Sequence, residues 1–165
     1  GEVRECAAMD RAVHVAAHLP PKKRGLMERL AAAFAAGERS LNQVGFKAIA
    51  QALVNNKVLK KLYISESNIN DDIAILIAEI LKLNSNLTEL SLSCNSITDD
   101  GAKLISEALK FNHTLRKLDL SRNSISDADG SIISTIVKFN STLKEIQFCD
   151  NYIKNESSFL LCSIL

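Results

Sequence analysis

One phrase recurs in this chain at a strict interval. Leu59, Leu87, Leu115 and Leu143 stand 28 residues apart, and each opens Leu-x-x-Leu-x-Leu, two more residues, then Asn-x-Ile. It is clearest as Leu87, Leu90, Leu92, Asn95, Ile97 and as Leu115, Leu118, Leu120, Asn123, Ile125. A later copy reads Leu143, Ile146, Phe148, Asn151, Ile153, and an earlier one Leu59, Leu62, Ile64, Ser67, Ile69. A single unit of this length cannot bury its own apolar face. A strict period therefore denotes stacked units that share one continuous core, a solenoid.

Each period divides into a strand and a helix. The alternation in Leu-x-x-Leu-x-Leu predicts a short strand with Leu62/Ile64, Leu90/Leu92, Leu118/Leu120 and Ile146/Phe148 facing inward. Asn42, Asn70, Thr98 and Ser126 follow at one register, each a good helix N-cap. Asp71-Asp72, Asp99-Asp100 and Asp127 then place negative charge at the positive end of the helix dipole. The helical spacing predicts inward stripes of Phe46, Ile49, Ala52, Leu53; of Ala74, Ile77, Ile80, Leu81; of Ala102, Ile105, Ala108, Leu109; and of Ile133, Ile136, Val137. Asn56, Asn84, Asn112 and Asn140 are expected to end the helices in the left-handed conformation that Asn tolerates. Asn95, Asn123 and Asn151 stand where the strand turns away, and predict a ladder of amides that satisfies backbone groups of the neighbouring turn. Strands pack ~4.8 Å apart and helices roughly 8–10 Å apart. A stack with one on each side must bend, so the expected shape is a curved horseshoe: parallel strands on the concave face, helices on the convex face.

Composition divides the chain. Residues 1–36 hold ten Ala and no Asn, whereas residues 37–165 hold thirteen Asn. We read 1–36 as a helical N-terminal cap or flanking segment and 37–165 as a solenoid of about four to five repeats, since an exposed end repeat needs a cover. The net charge of +1 offers no global field for nucleic acid or acidic membranes. No apolar run is long enough to span a bilayer, and the first residues do not resemble a signal peptide. Cys6, Cys94, Cys149 and Cys162 are scattered without metal-ligand or scaffold spacing, which favours a reducing, cytoplasmic setting. The sequons at Asn86, Asn112, Asn140 and Asn155 are read as incidental.

Little in the chain points to chemistry. Cys6, His14 and His18 would share one side of a helix, but no fourth ligand is evident, so no metal is expected. Pro20-Pro21-Lys22-Lys23-Arg24 reads as a solvated linker. Cys94 and Cys149 near the strand ends have only Arg122 nearby to lower a thiol pKa. No phosphate loop, nucleophile–base set or paired carboxylate appears. No catalysis and no cofactor are expected.

These residues, above all the stretch NLTELSLSCNSITDDGAKLISEALKFNHTLRKLDLSRNSI, resemble the leucine-rich-repeat family. The period and the full helix are similar to its ribonuclease-inhibitor-like class, which also occurs in NOD-like receptors. The resemblance covers residues 41–165, about three-quarters of the chain. It implies an α/β leucine-rich-repeat solenoid that binds a protein partner through its concave face. It also implies alternatives: a receptor-like or effector module, a regulator of a GTPase or of an actin filament, or an isolated structural solenoid. Arg39 is the one placed candidate for a GTPase regulator's arginine.

Four rows should face outward from the sheet side: Lys61, Glu89, Lys117, Glu145; Tyr63, Ser91, Asp119, Gln147; Ser65, Ser93, Ser121, Cys149; and Glu66, Cys94, Arg122, Asp150. Aromatic and Arg side chains dominate binding energy at interfaces, and in these rows only Tyr63 and Arg122 are of that kind. Tyr63, Glu89, Asp119, Arg122 and Gln147 are the expected partner contacts. The first row alternates in sign and is equally suited to gluing neighbouring strands together.

Overall fold

The computed structural model describes residues 43–126 and 131–153. The N-terminal segment 1–36 with its Cys6/His14/His18 group and basic run, and also Arg39, Asn42, Asp127 and the final unit from Asn155, lie outside the described residues. Within them, helices and strands alternate: α1 (Gln43–Val54), β1 (Lys61–Tyr63), α2 (Asp71–Leu83), β2 (Glu89–Ser91), α3 (Asp99–Leu109), β3 (Lys117–Asp119), α4 (Ser131–Phe139) and β4 (Glu145–Gln147). The four strands form one parallel sheet in chain order. Register is one repeat per strand: Leu62, Leu90, Leu118 and Ile146 are successive partners, flanked by the rows Lys61, Glu89, Lys117, Glu145 and Tyr63, Ser91, Asp119, Gln147. The helices pack on their sequence neighbours in the same order. This is an α/β solenoid with strands on one side and helices on the other.

The core runs continuously between the two layers. Leu59, Leu87, Leu115 and Leu143 are buried, as are Ile64, Leu92, Leu120 and Phe148. Leu62 in β1 is partly buried against them. The stripes of α2 and α3 are buried as their spacing predicts, at Ala74, Ile77, Ile80, Leu81 and Ala102, Ile105, Ala108, Leu109.

α4 departs from its predicted stripe. Ile132 and Ile136 are buried, Ile133 only partly, and Val137 is 52% exposed. A helix turns about 100° per residue, so moving the inward stripe back one residue brings Ile132 in and carries Val137 out. The sequence has Gly130 at the register of Ala74 and Ala102, and so offers no side chain there to hold the earlier phase.

Two helix starts form as their cap residues dictate. Asn70 accepts the Ile73 amide at 3.3 Å, and Thr98 accepts the Asp100 amide at 3.4 Å. Ser126 differs: its hydroxyl and amide both donate to Asp99, and the described part of α4 begins five residues later at Ser131. The helix-opening aspartates therefore do more than meet the dipole. Asp71 accepts from the Thr98 amide at 2.9 Å, the Thr98 hydroxyl at 2.6 Å and the Gly101 amide at 3.1 Å. Each aspartate thus ties its helix start to that of the next repeat. Gly101 is required at this crossing, because a methyl group there would overlap Asp71 Oδ1 and stand 2.9 Å from Ile97 Cγ2.

The helix ends also differ from expectation. Asn84 has extended backbone, φ −79° and ψ 122°, and none of Asn56, Asn84, Asn112 and Asn140 is left-handed. They act through their side chains instead. Asn84, Asn112 and Asn140 are buried and donate to Leu53 O, Leu81 O and Leu109 O at 2.7, 2.8 and 2.7 Å. Their Oδ1 atoms accept the Leu87, Leu115 and Leu143 amides at 2.8, 2.7 and 2.8 Å. Each Asn closes its own turn and caps the end of the preceding helix.

At the other edge, Asn95 donates to Ile64 O at 2.8 Å and accepts the Ser67 and Ile69 amides, both at 3.0 Å. Asn123 and Asn151 repeat the pattern, donating to Leu92 O and Leu120 O, each at 2.9 Å. Three sequon asparagines are committed to these internal bonds: Asn86 donates to Leu59 O at 2.8 Å, and Asn112 and Asn140 close turns. Their amides are buried and carry protein hydrogen bonds where a glycan would have to attach.

Candidate partner-binding face

The strands are only three residues long. Two of the four predicted outward rows therefore lie on strands: Lys61, Glu89, Lys117, Glu145 and Tyr63, Ser91, Asp119, Gln147. The other two lie beyond the strand ends. Glu66, Cys94, Arg122 and Asp150 all sit in the left-handed region, with φ of 55–56°. Non-glycine residues enter that region at some cost. A repeated turn recruits it here so that the chain can leave the sheet and enter the Asn ladder. Arg122 accordingly projects from a turn rather than from a strand.

The first row forms ion pairs along the sheet. Lys61 Nζ lies 2.7 Å from Glu89 Oε1, and Lys117 Nζ lies 2.7 Å from Glu145 Oε1. Such exposed pairs contribute roughly 0–1 kcal/mol each. The five residues expected to contact a partner are all engaged with neighbours. The Tyr63 hydroxyl donates to Glu89 at 2.6 Å. Asp119 accepts the Ser91 hydroxyl at 3.1 Å and the Ser121 amide at 2.9 Å. Arg122 Nε donates to Asp150 at 3.0 Å, and Gln147 donates to Glu145. Tyr63 nevertheless remains 50% exposed, and the Arg122 side chain 67%. Ser91, in the same row, is buried and leaves Tyr63 and Asp119 as the prominent groups.

The charges on this face shift one another. The Glu89 carboxylate accepting its hydrogen bond, with smaller contributions from burial and charge repulsion, pushes the Tyr63 phenol up to about 12. The Lys61 bond, then the Tyr63 bond, holds the Glu89 carboxyl below the usual carboxylate range. Lys117 does the same for Glu145. A raised phenol stabilises the fold at pH values below its ordinary pKa of about 10, and that stability is lost as pH rises through about 12. The lowered carboxyls contribute above their ordinary range and lose their effect as acid carries the pH down through their lowered values. In a Tyr152→Phe background, ultraviolet titration of Tyr63 is expected to give a midpoint near 12, falling toward about 10 in Glu89→Gln. A midpoint unmoved by Glu89→Gln would refute the coupling.

Two cysteines resolve differently. Cys94 is a free thiol. Cys149 is disulfide-bonded. The disulfide removes Cys149 as a candidate thiol. Among the described residues no helix is long and apolar enough to cross a membrane, and no group of metal-ligating side chains forms.

A Leucine Rich repeat family model matches residues 55–78, 83–106 and 111–134, with starts one 28-residue period apart. The chain carries leucine-rich repeats. Among solved structures, this leucine-rich-repeat solenoid is similar to the leiomodin-1 actin-binding site 2 domain. That match has a TM-score of 0.65 and 22% identity, covering 87% of this chain and 86% of that one. It is also similar to the tropomodulin C-terminal domain from Caenorhabditis elegans, at a TM-score of 0.50 and 15% identity over 66% of this chain and 68% of that one. At these identities the likeness establishes a shared leucine-rich-repeat fold. Comparison with curated proteins finds no match.

Sequence reasoning missed a charge separation that the net value of +1 conceals. Helices run back against the strands, so helix C-termini and strand N-termini share one edge of the solenoid. That edge carries Lys60, Lys82, Lys110, Arg116, Lys138 and Lys144, while the opposite edge carries Asp71, Asp72, Asp99 and Asp100. The signal was available in the 28-residue register, because Lys82, Lys110 and Lys138 share one position of the period.

Proposed function

We propose that the protein is a non-catalytic interaction module of the ribonuclease-inhibitor-like class, holding a protein partner on the outward face of its sheet. Tyr63 and Arg122 are the anchors, with Glu89, Asp119 and Gln147 beside them. The observation that carries this reading is that Tyr63 and Arg122, the two side chains there of the type that dominates interface energies, are both prominently exposed. Each is also steadied by a carboxylate, Glu89 or Asp150. Pre-ordering of this kind lowers the entropy lost on binding. Quantitative pull-down from native cells with mass spectrometry tests it. Tyr63→Ala with Arg122→Ala is expected to reduce recovery of the main partner at least about tenfold while leaving the melting curve near wild type. Equal recovery by the variant would overturn the assignment of this face.

A second reading is that the partner is actin, favoured by the likeness to leiomodin-1's actin-binding site 2 across most of both chains. Co-sedimentation with actin filaments and titration of actin monomers separate the two readings. Saturable binding lost in the same double variant supports actin on this face, and no binding to either form eliminates it.

A further inference from the structure

The helix C-terminal edge carries a second feature. Leu83, Phe111 and Phe139 occupy one position of the period in three successive repeats. They are 62%, 64% and 49% exposed, although the very next residue in each repeat is a buried Asn. Each is preceded by a lysine: Lys82, Lys110 and Lys138. Large apolar side chains aligned at a solvent edge mark interaction surfaces more often than chance exposure does. The lysines belong to the same surface, since Lys110 Nζ stands 4.7 Å from the Phe139 ring centroid and Lys138 Nζ 5.1 Å. Phe139 is therefore gripped from its own repeat and from the one before it.

We propose that this edge is a docking surface for an acidic amphipathic helix of a partner protein. Spacing selects a helix. Neighbouring repeats place their helices roughly 8–10 Å apart, and a helix rises about 10.5 Å over seven residues. A partner helix with apolar residues once per heptad therefore meets Leu83, Phe111 and Phe139 in turn. Charge selects its polar residues: a lysine beside every anchor calls for acidic residues at the same period. Glu107, 2.6 Å from Lys110, interrupts the positive strip. A helix can place a neutral side chain opposite Glu107, whereas a phosphate backbone or an anionic bilayer presents negative charge throughout. The surface lies away from Tyr63 and Arg122, so the proposal stands apart from the role assigned to the sheet face.

The test uses the full chain and a fluorescent three-heptad peptide with one Leu and two flanking Glu per heptad. Expected is saturable binding that weakens with salt, is lost for a scrambled peptide of the same composition, and falls roughly tenfold or more in Phe111→Ala with Phe139→Ala. Replacing Lys82, Lys110 and Lys138 by Gln should weaken binding and flatten its salt dependence. All five positions are at the surface, and melting curves of both variants are expected to match wild type. Absence of wild-type binding, equal binding of the scrambled peptide, or indifference to both variants would overturn the proposal. So would tighter binding to phosphatidylserine vesicles or to a single-stranded oligonucleotide, each of which names a different occupant.

Discussion

Replacing Asn112 by Ala is expected to destabilise the protein by about 2–6 kcal/mol, from two buried backbone groups left unpaired at about 1–3 kcal/mol each. The amide donates to Leu81 O at 2.8 Å and accepts the Leu115 amide at 2.7 Å. Neither group has water within reach, because Asn112, Leu81 and Leu115 are all buried. A loss of this size is a large fraction of the total stability of a small domain. It should also act beyond its own repeat, since Leu81 lies in the last turn of α2. Asn55→Ala is the control: Asn55 is exposed, and its substitution should stay within about 0.5 kcal/mol. Urea denaturation of the two variants checks the pair. Similar midpoints would show that the buried asparagines do not hold the turns.

Leu118→Ala should cost roughly 2–5 kcal/mol, the transfer free energy of the lost side chain plus the cavity left behind. Leu118 is completely buried at the middle of β3, between Leu90 and Ile146 in register. Neighbouring strands on both sides limit collapse of the void. In a solenoid, each repeat is stabilised mainly through its interfaces with adjacent repeats. A defect here therefore weakens coupling between the two ends and should lower the cooperativity of unfolding as well as its midpoint. Leu62→Ala, in the outermost described strand and only partly buried, should cost distinctly less. A Leu118→Ala melting curve as high as wild type would refute the inward register.

The two variants probe features of different legibility. Leu118 could be placed inside from sequence because a strand alternates faces strictly, so one correct residue sets every other residue of the strand. The stripes of α2 and α3 were legible for the same reason at helical period. That argument failed in α4, where a change of helix phase exchanged Ile132 for Val137 and the one local sign of it is Gly130 at the register of Ala74 and Ala102. Asn112 illustrates another limit. Its position at a helix end was evident, but a residue that ends a helix by backbone conformation and one that does so by side-chain hydrogen bonds have the same sequence signature. Here the side chain acts, reaching a carbonyl 31 residues earlier. The candidate binding face shows a similar split. Which side chains share each row followed from the period. That Arg122 stands in a left-handed turn paired with Asp150, and that Tyr63 is locked to Glu89, required the strand ends to be located in space.

The 28-residue phrase by itself therefore determined the stack, its parallel register and most of its core. Hydrophobic burial at a fixed period admits one layered arrangement, and identical units must meet their neighbours identically. Tertiary structure alone decided where each hydrogen bond and charge found its partner. Asp71 and Asp99 became clasps between helix starts, Asn84, Asn112 and Asn140 became caps on the preceding repeat, and a nearly neutral chain acquired one basic and one acidic edge. Those outcomes depend on distances of a few ångströms between residues about one period apart, and stacking sets those distances.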